Sequence, residues 1–235
     1  MISLFDRLLR RGASLEGDQR EKLRAWQTLP NADLVQPQDD ARYVVVDVES
    51  TGLDLNRDRL IAIGAVAMQG NRIALADSFE IVLRQAQSSD KSNILIHGIG
   101  GEAQREGVEP VEALLAFLDF LGKSPLVAFH VTFDETMIKR AMRTFLGLDF
   151  RHPWLDLAYV MPGLLPEYAR RYRALDHWSG HFEIANYARH SALADALATA
   201  QLMQCGLKLA AERKITTYKA LQDLEKAQRW VSWSN

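Results

Sequence analysis

The chain has 235 residues, 48% of them hydrophobic and 25% charged, and its formal net charge is −2. This length suits one sizeable domain with short extensions, and the slight negative charge excludes a protein that coats duplex DNA by charge attraction alone. The single cysteine, Cys205, excludes an internal disulfide. The N-terminus lacks the pattern of a signal peptide and no apolar run approaches the roughly 20 residues of a membrane span, so we expect a cytoplasmic protein without a membrane partner.

Residues 1–40 are predicted to form a helical extension and a linker. Apolar residues recur at helical spacing in MISLFDRLLR, and a second helix is expected from about Glu16 to Leu29. The segment PNADLVQPQDD has the prolines and turn-forming residues of a linker.

Residues 41–211 are predicted to form an α/β domain with a mixed sheet. Three strand-like segments joined by short turns indicate an antiparallel meander, and helices then alternate with strands. Residues 212–235 are assigned to a C-terminal helix and tail. The predicted strands are 43–48, 60–68, 78–83 and 124–129, and the predicted helices are 110–121, 134–146 and 191–211.

The first predicted strand ends in two carboxylates. In YVVVDVESTGLD, Asp47 and Glu49 are two positions apart, so both side chains point to the same face of the sheet. Ionised carboxylates that leave water repel each other and need a counter-charge. Oxygen ligands of this kind suit Mg²⁺ or Mn²⁺ better than zinc. The alternative from this stretch alone is that both acids are solvated at the strand end.

Two later segments carry further candidates, each with a structural alternative. Asp134 follows the strand 124–129 in AFHVTFDE and opens a helix, where aspartate is also a favoured N-cap. In ARHSALADALATA, His190 lies just outside the long helix and Asp195 lies one turn inside it, so that both can face one cleft. The alternative is a surface histidine and an aspartate that favours the helix dipole.

Together these motifs resemble the DEDDh family of 3′→5′ exonucleases, in particular the epsilon proofreading subunit of bacterial DNA polymerase III and its relatives. The order is D-x-E on the first strand, then H-x-x-F-D, then H-x-x-x-x-D. LIHGIG at 95–100 is similar to the family's H-G-I segment, and WLDLA at 154–158 is similar to its strand followed by an aspartate. The resemblance extends over about residues 42–210.

The resemblance implies an RNase H-like mixed β-sheet flanked by helices, with a short helical N-terminal extension. It also implies a hydrolase that removes 5′-mononucleotides from the 3′ end of single-stranded DNA. By position, four carboxylates would hold two divalent metal ions, Mg²⁺ or Mn²⁺, and His190 would be the general base for the attacking water. The implied metal ligands are Asp47, Glu49, Asp134 and Asp195.

The implied substrate contacts lie beside these motifs. The backbone of Ser50 and Thr51 would hold the terminal sugar, and Leu53 would pack against the last base. Two further residues would help to fix the terminal nucleotides: His97 and Phe133. The alternative for Leu53 and Phe133 is core packing, and the alternative for His97 is a loop histidine without substrate contact.

The chain departs from the family pattern at two positions. Val131 stands where asparagine is common, which puts rate and substrate preference in doubt, and Gly100 stands where threonine is frequent. An RNA-trimming exonuclease of the RNase T or oligoribonuclease kind shares the same motifs and is an alternative function. A non-catalytic interaction module on the same fold is another, against which the complete set of motif residues argues.

The expected partners are the 3′ ends of single-stranded DNA or RNA, with a DNA polymerase or a sliding clamp as a further expectation. MISLF resembles the short clamp-binding peptide but lacks its leading glutamine, so an amphipathic helix is the preferred interpretation. The segment ARRYR at 169–173 offers contacts to a nucleic acid backbone or to a helix, although a solvated face is preferred there.

Overall fold

The computed structural model of the protein describes residues 15–186 and 188–233. The expected helix in MISLFDRLLR lies outside these ranges. Within them, five strands form one sheet in the order β3-β2-β1-β4-β5. The strands are β1 Arg42–Ser50, β2 Leu60–Gln69, β3 Arg72–Val82, β4 Leu126–Ala128 and β5 Trp154–Asp156.

The sheet is mixed, as predicted. β1 pairs antiparallel with β2, and β2 with β3, whereas β4 pairs parallel with β1, and β5 with β4. Antiparallel neighbours need only short turns, while the parallel strands require helical crossovers. Because β1, β4 and β5 run in the same direction, the residues that follow them emerge at one edge of the sheet. A site built from the ends of these strands must lie at that edge.

Helices cover both faces of this sheet. Their bounds are α1 Gly17–Thr28, α2 Lys91–His97, α3 Gly101–Glu106, α4 Pro110–Leu121, α5 Thr132–Ala141, α6 Leu157–Leu164, α7 Leu175–His181, α8 Ala192–Glu212 and α9 Tyr218–Trp233. Helices α4 and α5 pack on one face, and α6, α8 and α9 pack on the other. This is the predicted RNase H-like arrangement. No helix in the described ranges combines the length and apolar character needed to cross a bilayer.

Alternation along β1 decides how its two faces are used. Val44 and Val46 pack in the core beneath α4 and α5, whereas Tyr43 and Val45 pack against α6, α8 and α9. Asp47 and Glu49 continue the second face. The buried first half of the strand therefore sets the direction in which its two carboxylates point.

The sequence predicted that β3 begins at residue 78, but the strand begins at Arg72. Gly70, at a φ of +56°, makes a two-residue turn that pairs Gln69 with Arg72. β3 is an edge strand whose residues are half-buried or exposed. Its first half therefore lacks the apolar run by which a buried strand is recognised.

The N-terminal extension and the C-terminal segment both pack on the domain. Leu23 and Trp26 of α1 are buried in the core that includes α4. The linker runs beside the segment before α9, where the Gln38 N–H donates to the Thr216 carbonyl at 2.8 Å and the Lys219 N–H donates to the Leu34 carbonyl at 2.9 Å. The described part of the extension is thus part of the folded body.

We expect Trp26→Ala to lower the free energy of unfolding by about 3 kcal/mol. The indole is 8% exposed, its Nε1 donates to the Gly122 carbonyl at 2.6 Å, and the Lys123 ammonium lies 3.4 Å from the ring centroid. Chemical denaturation measures the loss, with the exposed Leu29→Ala as control. The predicted nuclease activity should persist wherever the variant is folded, and its loss there would mean that the extension helps to build the site.

Candidate active site

Asp47 and Glu49 lie at the end of β1, on the face that α8 covers, and both are half-buried. Among the described residues, carboxylate oxygens of Asp47, Glu49 and Asp195 lie within 4.8 Å of one another. Asp195 belongs to the first turn of α8 and is only 4% exposed. The structure therefore brings three of the four predicted carboxylates together, and we call these three residues the acidic cluster.

α8 reaches this position because β2 carries a glycine where the helix crosses it. Gly64 pairs with Asp47 in the β1–β2 ladder. A Cβ at Gly64 would lie 2.2 Å from backbone atoms of Ala192 and Leu193, so no side chain fits there. The sequence analysis did not identify Gly64 as the position that lets α8 approach β1, although a glycine inside an apolar strand is a recognisable signal of close backbone approach.

We expect Gly64→Ala to lower turnover in the predicted exonuclease reaction by about 100-fold, because the added methyl group must push the start of α8, and with it Asp195, away from Asp47. Overpacking should also cost about 1–3 kcal/mol of stability. Gly180→Ala is the matched control, since a Cβ at Gly180 would meet no atom within 4 Å. Turnover and thermal unfolding measure both effects, and a Gly64→Ala variant with normal turnover would contradict this role.

Asp134 lies in the first turn of α5 and is 4% exposed. The helix begins at Thr132, with Val131 at the N-cap position, so the N-cap interpretation of Asp134 is wrong. Burial raises the pKa of Asp134 well above its ordinary range, and hydrogen bonding to its own backbone opposes this while the charge of Asp156 adds to it. Asp134 is not one of the three residues of the acidic cluster, but its charge raises the pKa of Asp47.

The turn before α5 is held by a network that includes the C-terminal helix. Asp156, at the end of β5, accepts a hydrogen bond from the His130 N–H at 2.9 Å and another from Arg229 Nη2 at 2.9 Å. Glu225 accepts from Arg229 Nε at 2.8 Å. His130 has a φ of +67°, which is unfavourable without such support. The network therefore fixes the turn that presents Asp134.

Burial and mutual repulsion dominate the electrostatics of the site. Burial raises the pKa of Asp47 well above its ordinary range, and the charges of Asp134 and Asp195 raise it further. Burial also raises the pKa of Glu49, to about 8, with a further contribution from Asp195. Arg189 acts in the opposite direction on both groups. The site is thus stabilised by added positive charge.

Arg189 and Asn186 are partners of Asp195 that the sequence reading missed. Arg189 Nη1 lies 2.5 Å from Asp195 Oδ2, and Arg189 Nε lies 2.8 Å from Asp176 Oδ1. Asn186 Nδ2 donates to Asp195 Oδ1 at 2.5 Å. An arginine directly before a candidate catalytic histidine is a weak signal in sequence, because arginines are common in exposed loops.

His190 lies in the turn before α8, next to the N-cap residue Ser191. Its φ is +64° and its backbone N–H donates to Asp195 Oδ2 at 3.1 Å. The residue is exposed. The structure therefore places His190 beside the acidic cluster and open to solvent.

The predicted contacts at the end of β1 lie in a turn that side-chain hydrogen bonds hold in place. Asn93 Nδ2 donates to the Ser50 carbonyl at 2.7 Å, and Thr51 Oγ1 donates to Asp58 Oδ1 at 2.7 Å. Leu53 is 86% exposed, so the core-packing alternative does not apply to it. The turn offers its backbone and one apolar side chain at the edge that carries the acidic cluster.

His97 and Phe133, the other two predicted substrate contacts, make internal contacts. His97 is 5% exposed, its Nδ1 accepts from the Ile99 N–H at 3.0 Å, and its Nε2 lies 3.3 Å from Ser89 Oγ. Burial lowers the pKa of His97. Phe133 is half-buried against the core. The ring of His97 thus contacts residues on both sides of α2, and Phe133 serves partly as core packing.

The sequence matches the RNase_T family, described as exonuclease, over residues 44–203. It is 31% identical over 186 residues to the DNA polymerase III PolC-type of Thermotoga maritima, a match that covers 79% of this chain and 13% of that protein. It is 29% identical over 189 residues to a DNA polymerase III subunit epsilon-like protein of Rhodobacter capsulatus, a match that covers 79% of this chain and 26% of that protein. The chain thus spans a small part of the length of these relatives.

Solved structures share the fold at low sequence identity. E. coli exonuclease I in complex with a dT13 oligonucleotide has a TM-score of 0.61 at 17% identity, over 73% of this chain and 42% of that one. Exonuclease X in complex with 5′ overhanging duplex DNA has a TM-score of 0.60 at 15% identity, over 78% of this chain and 99% of that one. The family match includes the strand and the two helices that carry the four carboxylates, and the chain belongs to the RNase_T family of exonucleases.

Proposed function

We propose that the protein is a 3′→5′ exonuclease that uses two divalent metal ions to remove 5′-mononucleotides from the 3′ end of single-stranded DNA. The observation that carries the proposal is the convergence of Asp47, Glu49 and Asp195 within 4.8 Å, in a chain of the exonuclease family. Such a concentration of carboxylates is unfavourable unless a cation neutralises it. Charge and family membership therefore support the same chemistry.

The proposed metal ligands are Asp47, Glu49, Asp134 and Asp195. Carboxylate oxygens fit Mg²⁺ or Mn²⁺, which prefer hard oxygen donors. In this structure Arg189 pairs with Asp195, so a bound cation would compete with the guanidinium for this carboxylate. When bound, two such ions would lower the pKa of a water molecule and stabilise charge on the scissile phosphodiester.

His190 is the proposed general base. Its backbone is tied to Asp195 at 3.1 Å and its side chain is open to solvent, so the imidazole can take a proton from the attacking water and pass it on. The turn at Ser50 and Thr51 would hold the terminal sugar, and the exposed Leu53 would pack against the last base. Apolar contact with a base tolerates any sequence, as a nonspecific exonuclease requires.

Single-stranded DNA is the proposed substrate because exonuclease I, which shares the fold, was solved with a dT13 oligonucleotide. Similarity to part of a PolC-type DNA polymerase III supports a replicative polymerase as the proposed partner that supplies 3′ ends. Residues 41–211 are the proposed exonuclease domain, with 1–40 and 212–235 as the flanking segments.

The test is digestion of 5′-labelled DNA and RNA oligonucleotides of equal sequence, with Mg²⁺, Mn²⁺ or EDTA. We expect a ladder that shortens from the 3′ end, release of 5′-mononucleotides, and no activity in EDTA. Preferential digestion of RNA would establish the RNA-trimming alternative. Internal cleavage, or activity that survives EDTA, would refute the two-metal exonuclease, and no cleavage of either strand would favour a non-catalytic module.

We expect His190→Ala to lower kcat by about 10²–10⁴-fold, the usual contribution of a general base. Single-turnover digestion with saturating Mn²⁺ measures the chemical step directly. The Mn²⁺-induced rise in melting temperature should be retained, because His190 is not a proposed metal ligand. Unchanged single-turnover rates would remove His190 from the mechanism.

A further inference from the structure

Three arginines lie in the segment between a 3-10 turn, Pro166–Tyr168, and α7. We call residues 170–173 the basic segment. The Arg173 carbonyl accepts a hydrogen bond from His130 Nε2 at 3.0 Å, which joins the segment to the turn before Asp134. A little further along, Asp176 pairs with Arg189 at 2.8 Å, and Arg189 pairs with Asp195. The basic segment is therefore held between the elements that supply the second and third carboxylate motifs.

The basic segment carries three positive charges, of which the guanidinium of Arg171 lies 5.5 Å from the centroid of the Tyr172 ring. Arg170, Arg171 and Arg173 are exposed, and none of them forms an ion pair with another residue in the part of the chain that the structure describes. The chain as a whole has a net charge of −2. Three exposed guanidinium groups beside an acidic cluster are therefore a local exception to the charge of the molecule.

The basic segment is also held rigidly. The rings of Tyr168 and Tyr172 stack with centroids 5.0 Å apart and an interplanar angle of 3°, and Tyr172 packs edge-on against the buried Trp178 at 5.2 Å. His177 Nδ1 accepts the backbone N–H of Arg173 at 3.3 Å. Because these contacts hold the backbone in place, a ligand bound there would have to order only the arginine side chains.

We propose that the basic segment binds the phosphates of the nucleic acid strand upstream of the bond that is cut. The inference rests on the proposed function, which brings the 3′ end of that strand to the acidic cluster. Guanidinium groups bind phosphate through charge-assisted hydrogen bonds and do not read the bases, as an exonuclease that advances along any sequence requires. In this proposal the segment is a strand-binding surface, where the sequence alone favoured a solvated face.

The test compares Arg170→Glu/Arg173→Glu with Arg20→Glu/Arg24→Glu, which makes the same charge change on α1, a helix that packs against α4 through Trp26. Two substrates separate the roles: the p-nitrophenyl ester of thymidine 5′-monophosphate, which has no upstream strand, and 20-mers of DNA and RNA of equal sequence. Kd for the 20-mers is measured in EDTA by fluorescence anisotropy over a range of salt, so that binding is read without turnover.

For Arg170→Glu/Arg173→Glu we expect Kd and KM for the 20-mers to rise about 10-fold or more. The slope of log Kd against log salt should fall by about 1.4, or about 0.7 for each lost phosphate contact. The rise in KM should exceed any change in KM for the ester, and Arg20→Glu/Arg24→Glu should match the wild type.

Equal losses on DNA and RNA support phosphate binding, and a loss on one of them supports it for that strand. An unchanged Kd and slope, or equal losses on ester and 20-mer, would overturn the inference. A wild-type protein that cleaves neither substrate would refute the proposed function, while the anisotropy comparison would still decide this inference.

Discussion

Replacing Asp47 with asparagine is expected to lower turnover at saturating Mn²⁺ by roughly 10³-fold or more while stabilising the metal-free protein. Burial raises the pKa of Asp47, and the charges of Asp134, Asp195 and Glu49 raise it further. Asparagine keeps the shape and one oxygen but carries no charge, so it weakens the hold on a divalent cation. The same change removes repulsion that the metal-free fold must bear.

Both effects can be measured on one preparation. Thermal melts in EDTA should give a higher melting temperature for Asp47→Asn than for the wild type, and the rise on adding Mn²⁺ should shrink. Asp119→Asn on the exposed side of α4 is the matched control and should change neither quantity. A variant that melts lower in EDTA and still digests DNA at the wild-type rate would contradict the assignment of Asp47 as a metal ligand.

The sequence predicted the core of the site because period-two alternation is a local property. Tyr43 and Val45 face the same side as Asp47 and Glu49, and burial of the former fixes the direction of the latter. The helix that carries Asp195 was also predictable from its apolar periodicity. What alternation does not report is which helix covers which face, so the meeting of Asp195 with Asp47 followed from resemblance to a family and not from the pattern.

Other parts of the site depend on contacts between residues far apart in the chain. Arg229 reaches Asp156 from the last helix, and its spacing from Glu225 is that of an ordinary solvated i,i+4 pair. The motif that contains His97 was recognisable in the sequence, whereas the burial of its side chain was not. Asp134 was weighed as an N-cap because helix starts are uncertain by one or two residues in sequence, and the structure begins α5 at Thr132.

The second large effect is a loss of stability with rising pH in the absence of metal. Glu49 has a pKa of about 8 in the folded protein, against an ordinary value of about 4.3. Between these values the folded state keeps a proton that the unfolded state has released. The folded state therefore binds more protons, and the free energy of unfolding must fall as pH rises from about 4.5 to 8.

The full shift in the pKa of Glu49 would lower the free energy of unfolding by about 5 kcal/mol over this window. The partial exposure of Glu49 reduces this loss to on the order of 3 kcal/mol. Urea titrations in EDTA from pH 5 to pH 8 should show the decline, Glu49→Gln should make it shallower, and the exposed Glu21→Gln should leave it as in the wild type. Mn²⁺ binds the ionised carboxylates, so saturating metal should restore stability most strongly near pH 8, where about 2.7 kcal/mol is gained at 100 times the Kd.

A metal-free stability that stays flat or rises over this range would mean that Glu49 is ionised in the folded protein without a cation. The acidic cluster would then be balanced by Arg189 alone, and its need for metal would lose its electrostatic basis.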